Sequence, residues 1–176
     1  TKTLKEVENR DAQFKLVEST WTSCVHQGIP VLSIDTKKKE MLGNFKRAGK
    51  TFSQHELAAL DHDFASFSKG TIVPHGIYDV ERNVGYLTIG NSHDTAEFVC
   101  DNIARIWRDY LQWEYPKATA ICILCDGGGS NSASHHIFKQ ELMKLAASLG
   151  LDIIMVHYPP YCSKYNPIEH RLFAHI

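Results

Sequence analysis

The chain has 176 residues, 43% of them hydrophobic and 22% charged, which is the balance of a folded domain with a substantial core and excludes a disordered or fibrous polypeptide. A net charge of −1 does not by itself advertise a nucleic-acid binder, and no apolar run reaches the roughly 18 residues a membrane span needs. The charged first eleven residues are unlike a secretion signal, and five cysteines without regular spacing fit a reducing compartment.

Residues 2 to about 26 read as a helix with Val7, Phe14, Val17 and Trp21 roughly on one face, stopped by Gly28 and Pro30. Residues 30–35 form a short buried strand with a carboxylate, Asp35, at its exit. A basic run follows, Lys37, Lys38 and Lys39, then Lys46, Arg47 and Lys50; it reads either as a solvated loop or as contacts to a phosphate backbone. Residues 51–70 carry weak signals and read as an excursion of loop and short helix.

Residues 72–79 and 84–90 read as an antiparallel hairpin turning at Glu81, Arg82 and Asn83. Asp94 and Glu97 have the form of a capping box, opening a helix to about Tyr115 with Val99, Ile103, Ile106, Tyr110 and Trp113 as its apolar stripe. Residues 118–125 are apolar throughout, as a central parallel strand is, and deliver Asp126 into a glycine-rich turn. Within that strand Cys122 and Cys125 face opposite sides, so they read as core thiols and not as a redox or zinc pair. A helix from about 134 to 149 with Phe138, Leu142, Leu145 and Leu149 on one face, a strand over 152–158, and a last helix capped by Asn166 with Pro167 at its first position complete the order.

Hairpin first, then alternating helices and strands, implies an α/β fold with a mixed sheet and helices on both faces. If the first and fourth strands are neighbours, Asp35 and Asp126 lie side by side, and the last helix can bring Glu169 to them. Three converging carboxylates repel one another unless a cation sits between them, and hard oxygen ligands suit Mg²⁺ or Mn²⁺. From the residues alone the structural alternatives stay open: Asp35 as a loop cap, Glu169 as a residue that serves the helix dipole. The glycine turn lacks the lysine and hydroxyl of a P-loop, which excludes a nucleoside triphosphate as cofactor.

Five stretches in order, SIDTKKKEMLGNF (33–45), HGIYDV (75–80), NSHDTA (91–96), DGGGSN (126–131) and NPIEHRLF (166–173), resemble the catalytic core of bacterial insertion-sequence DDE transposases. The nearest resemblance is to the Rhodopirellula-type transposase family, related to the mariner-like group. It implies an RNase H-like fold of about five strands in the order 3-2-1-4-5, with residues 1–28 a helical lead-in and 29–176 the catalytic domain. It implies Asp35, Asp126 and Glu169 as the catalytic and metal-binding triad, with Mg²⁺ or Mn²⁺ as two ions. The implied reaction is hydrolysis at transposon ends followed by attack of the freed 3′-hydroxyl on target DNA.

Within that frame Lys37, Lys38, Lys39, Lys46 and Arg47 are expected on the DNA backbone. His135 and His136 open a helix where phosphate is favoured, and His170 and Arg171 flank Glu169. His75 and His157 are expected to be structural. DNA is the implied partner and a homodimer follows by analogy, in the bacterial cytoplasm at the nucleoid, with no membrane partner. The last helix is barely begun when the sequence stops, so the chain is expected to be a fragment or a decayed copy. The competing expectations are a catalytically silent remnant that only binds DNA or protein, and an RNase H-like nuclease without strand transfer.

Overall fold

The computed structural model describes residues 9–46, 52–61, 63–91, 95–126 and 136–176. Helix α1 (Arg10–His26) precedes β1 (Val31–Thr36), and a two-residue strand β2 (Glu40–Met41) leads into the excursion. There, among the described residues, a 3₁₀ turn (Ala65–Phe67) and an isolated bridge between Phe45 and Leu60 are the local order. The hairpin β3 (Thr71–Asp79) and β4 (Val84–Gly90) comes next. Then follow α2 (Ala96–Ile106), a π-helical turn (Trp107–Leu111), the single turn α3 (Gln112–Glu114), β5 (Ala120–Cys125), α4 (His136–Leu149), β6 (Asp152–His157) and α5 (Pro167–Arg171).

The sheet runs β2-β3-β1-β5-β6 with β4 on β3, which is the expected five-strand order plus the short β2. β1 is antiparallel to β3 and parallel to β5, so the sheet is mixed. Alternation along β1 divides the core. Leu32 and Ile34 join Ile121, Ile123 and Cys125 under α2 and α4, whereas Val31 packs with Cys122 and Leu124 under Val17 and Cys24 of α1. The two cysteines of the CxxC thus sit on opposite faces, as expected. The hairpin turn is fixed by Asn83 in the left-handed region (φ 57°), whose Oδ1 accepts from the Tyr78 hydroxyl at 2.6 Å. Asp79, fully buried at the strand end, accepts from the Arg82 N–H at 3.1 Å and from the Tyr115 hydroxyl at 2.9 and 3.0 Å.

Two expectations about helices need correction. Thr95, not Asp94, caps α2: its side chain accepts from the Phe98 N–H at 3.2 Å, and Asp94 lies outside the described residues. The stripe of α2 also fails beyond Ile106, where Tyr110 is 51% and Trp113 is 73% exposed. The π-helical turn is the reason. It inserts an extra residue into the turn and shifts the phase, so that Trp107 and Leu111, four apart, face the core instead.

His75 on β3 is structural in position, with an edge-on contact to Phe98 (ring centroids 5.8 Å apart). Both of its ring nitrogens are buried without a hydrogen-bond partner, and burial lowers its pKa to about 4. The sign follows. The unfolded chain takes up a proton near pH 6.5 and the folded one only near 4, so stability declines as pH falls through that window. His75→Leu should flatten this acid limb and gain about 1 kcal/mol at pH 7 by removing the unsatisfied groups. Urea midpoints at pH 7 and pH 4.5 check it; an unchanged difference between the two pH values would count against it.

Candidate active site

The register of the sheet builds the site. In the parallel β1/β5 ladder Val31 pairs with Cys122 and Ser33 with Leu124, so the same register carried two residues on sets Asp35 beside Asp126. Both carboxylates stand at the carboxyl ends of adjacent parallel strands, where open α/β sheets collect their ligands. By the alternation of β1 and β5 they also share the face that carries α5. That short helix lies against β1 and β3, with Ile168 and Phe173 packed on Tyr78. Its seat is cut by Gly76, which pairs with Asp35: a Cβ there would meet Ile168 Cδ1 and Phe173 Cε1 at 2.7 Å.

Asp35 is the electrostatic centre of the arrangement. Burial, then the Asp126 charge, then a hydrogen bond shared with Glu169 raise its pKa to about 8, against the lowering effect of the Thr36 N–H, which donates to Oδ1 at 2.7 Å. The three carboxylates predicted from sequence are therefore neighbours, with Asp35 hydrogen-bonded to Glu169. Among the described residues no group of three or more His, Cys, Asp or Glu side chains is arranged to hold a metal ion, and that includes Asp35, Asp126 and Glu169. For these oxygens to hold an ion Asp35 must lose its proton and the three side chains must rearrange. The donor set is oxygen only, crowded with negative charge and half-buried, which fits Mg²⁺ or Mn²⁺ and not a soft metal.

The predicted basic residues are distributed unevenly. Lys38 and Lys39 are exposed directly after Asp35, while Lys37 Nζ donates to the Ile176 carbonyl at 2.6 Å and pairs with Glu40 at 3.4 Å. Lys46 is exposed in the excursion, and Arg47 and His135 lie outside the described residues together with the glycine turn 127–129. His136 is exposed at the first turn of α4, and Arg171 is exposed. His170 Nε2 hydrogen-bonds with the Lys164 carbonyl, so that nitrogen is occupied within its own loop.

Sequence reasoning missed Ser33. It was also only half right about Asn166, whose position is the N-cap of α5 but whose side chain makes no capping bond. Ser33 Oγ donates to Asn166 Oδ1 at 2.5 Å and accepts from the Ile168 N–H at 3.0 Å, so a strand residue caps the helix from outside. The signal was available in hindsight: Ser33 is a hydroxyl within an otherwise apolar strand, two residues before the carboxylate and on the same face.

Over residues 1–176 the sequence matches the family described as the Rhodopirellula transposase DDE domain. The chain belongs to that family. No curated protein matches it. Solved structures similar to this DDE domain include a Mos1 transposase paired-end complex with left transposon end (15% identity, TM-score 0.64, covering 99% of this chain and 50% of that one). The Mos1 mariner paired-end complex with Mn is also similar (16%, 0.60, 99% and 49%), as is the catalytic domain of Mos1 mariner transposase (10%, 0.58, 99% and 73%). At such identities the likeness shows the fold, which is RNase H-like. The DDE domain spans about half the length of the transposase chains in the two complexes.

Proposed function

We propose that the chain is the catalytic core of a DNA transposase, cutting phosphodiester bonds at transposon ends and joining the freed 3′-hydroxyl to target DNA. The observation that carries this reading is the meeting of Asp35, Asp126 and Glu169 at two adjacent strand ends, with Asp35 held protonated to about pH 8 by burial and by the other two. Asp35, Asp126 and Glu169 are the metal ligands of this proposal, for two Mg²⁺ or Mn²⁺ ions; of the similar Mos1 paired-end complexes, one is with Mn and another with Mg. When bound, such ions supply charge stabilisation to the attacking and leaving oxygens. The protein's part is position. Strands β1 and β5 fix two carboxylates side by side, α5 swings the third over them, and Lys38 and Lys39 add flexible positive charge for the DNA backbone.

In this reading residues 1–28 lead into the core formed by 29–176, the partner is DNA, and two copies of the chain act together. The site of action is the bacterial cytoplasm at the nucleoid. Among the described residues no helix is long and apolar enough to cross a membrane.

The test is nicking of supercoiled plasmid and of transposon-end duplex in Mn²⁺. The chain should nick both substrates, and Asp126→Ala should reduce the rate by about 10³-fold or more, as loss of a metal ligand does. Equal nicking by the variant would overturn the assignment. Metal binding without nicking would favour the silent remnant, and nicking without joining the plain nuclease.

A further inference from the structure

We propose that Ser33 and Asn166 are positioning residues that lock α5 to β1 and thereby hold Glu169 against Asp35; this rests on the reading of those carboxylates as the reactive site. Helix α5 has five residues, too few to persist by its own backbone bonds. Its first-turn N–H groups need partners from elsewhere. Asn166 stands where a capping side chain ordinarily accepts from the helix, yet it gives that role away. Its Oδ1 takes the Ser33 hydroxyl proton at 2.5 Å and its Nδ2 donates to the Ile34 carbonyl at 3.1 Å, while Ser33 Oγ takes the Ile168 N–H at 3.0 Å.

Each of these atoms has a partner, and both side chains are fully buried. The lock attaches to the two residues just before Asp35 on one side. On the other it attaches to residues one and three positions before Glu169. It joins residues 132 to 135 positions apart in the chain, so no local preference stands in for it. Packing alone does not supply the same precision. Ile168 and Phe173 hold α5 against the sheet, but apolar contacts allow sliding, whereas three directed bonds at 2.5 to 3.1 Å fix its register along β1.

The experiment compares Ser33→Ala, Ser33→Thr, Asn166→Ala and the double alanine variant in the full chain, after circular dichroism has shown each to be folded. Residue-resolved hydrogen exchange is the first readout and needs no metal. Ser33→Ala should speed exchange of the Glu169 and Leu172 amides by about tenfold or more while the β1 and β5 amides keep their wild-type rates. Calorimetric Mn²⁺ affinity is the second: it should fall about 10- to 100-fold in either alanine variant, as loss of an outer-shell partner does. Ser33→Thr, which keeps the hydroxyl, should stay within about threefold of wild type, and the double variant should be no worse than the poorer single one.

Wild-type exchange in α5 of Ser33→Ala, equal acceleration throughout the sheet, or additive losses in the double variant would each overturn the lock. If the exchange pattern appears but wild type shows no Asp126-dependent Mn²⁺ binding, the lock stands and the metal reading falls.

Discussion

Asp35→Asn should abolish Mn²⁺-dependent nicking and, at pH 8, make the metal-free protein more stable. The two effects have one origin. In the folded chain the Asp35 proton is held to about pH 8, whereas in the unfolded chain it leaves near pH 3.9. Between those values the folded state binds more protons than the unfolded state, so stability falls as pH rises through the window and levels off above it. An asparagine keeps the shape and carries no charge to be buried beside Asp126. The gain should be absent near pH 4 and complete above pH 8, on the order of 2 kcal/mol after allowance for partial exposure and relaxation. For a chain of this length that is roughly 4–8 °C in Tm. Thermal melts of both proteins at pH 4.5, 6.5 and 8.5, without metal, check it. An equal gain at all three would show that the carboxylate is not under electrostatic strain. The same proton sets the metal response of the wild type: Mn²⁺ affinity should climb with pH up to about 8 and then level.

Gly76→Val is the second large effect, and it works through the seat of α5 at a residue that carries no ligating group. Gly76 lies across from Asp35 in the β1/β3 ladder, and its missing side chain is the space in which Ile168 and Phe173 sit. A Cβ at 2.7 Å from Phe173 Cε1 and Ile168 Cδ1 is closer than carbon atoms approach, and valine adds two methyls to it. The terminal methyl of Ile168 can turn away; the Phe173 ring is buried and has less freedom. The helix must lift, and Glu169 lifts with it. A misplacement of about 1 Å at a reacting centre is enough for a loss near a hundredfold, with about 1–3 kcal/mol of destabilisation from overpacking. Nicking rates and urea midpoints for Gly76→Ala and Gly76→Val should fall in that order. A valine variant with the wild-type rate would mean that α5 does not aim Glu169.

Much of this was legible in the sequence because the informative signals are local. Continuous apolar runs marked β1 and β5, and the carboxylates at their exits were visible as punctuation. The mixed sheet with helices on both faces followed from the hairpin and the alternation after it, whereas the strand order was implied only by the resemblance. What escaped depends on contacts between distant segments or on helix phase. The π-helical turn at Trp107–Leu111 breaks a 3.6-residue pattern that looked sound, sending Tyr110 and Trp113 outward. Strand β2 is two residues long and carries no pattern at all. Asn166 was recognised as a boundary residue, but its use by Ser33 cannot be read from neighbours in sequence. Lys37 looked like its two companions until its bond to the Ile176 carbonyl was seen.

The bonds between Ser33 and the segment 166–168 also set a clock on folding. Contacts between residues so far apart in sequence form late, because the loop they close is most of the chain. On the ribosome β1 emerges before α5 and must wait for it, so Asp35 and Asp126 can be paired in a sheet while Glu169 is still being synthesised. A nascent chain in that state holds two of the three carboxylates in place and lacks the third. The proposed triad is therefore incomplete on the growing polypeptide until α5 has been made.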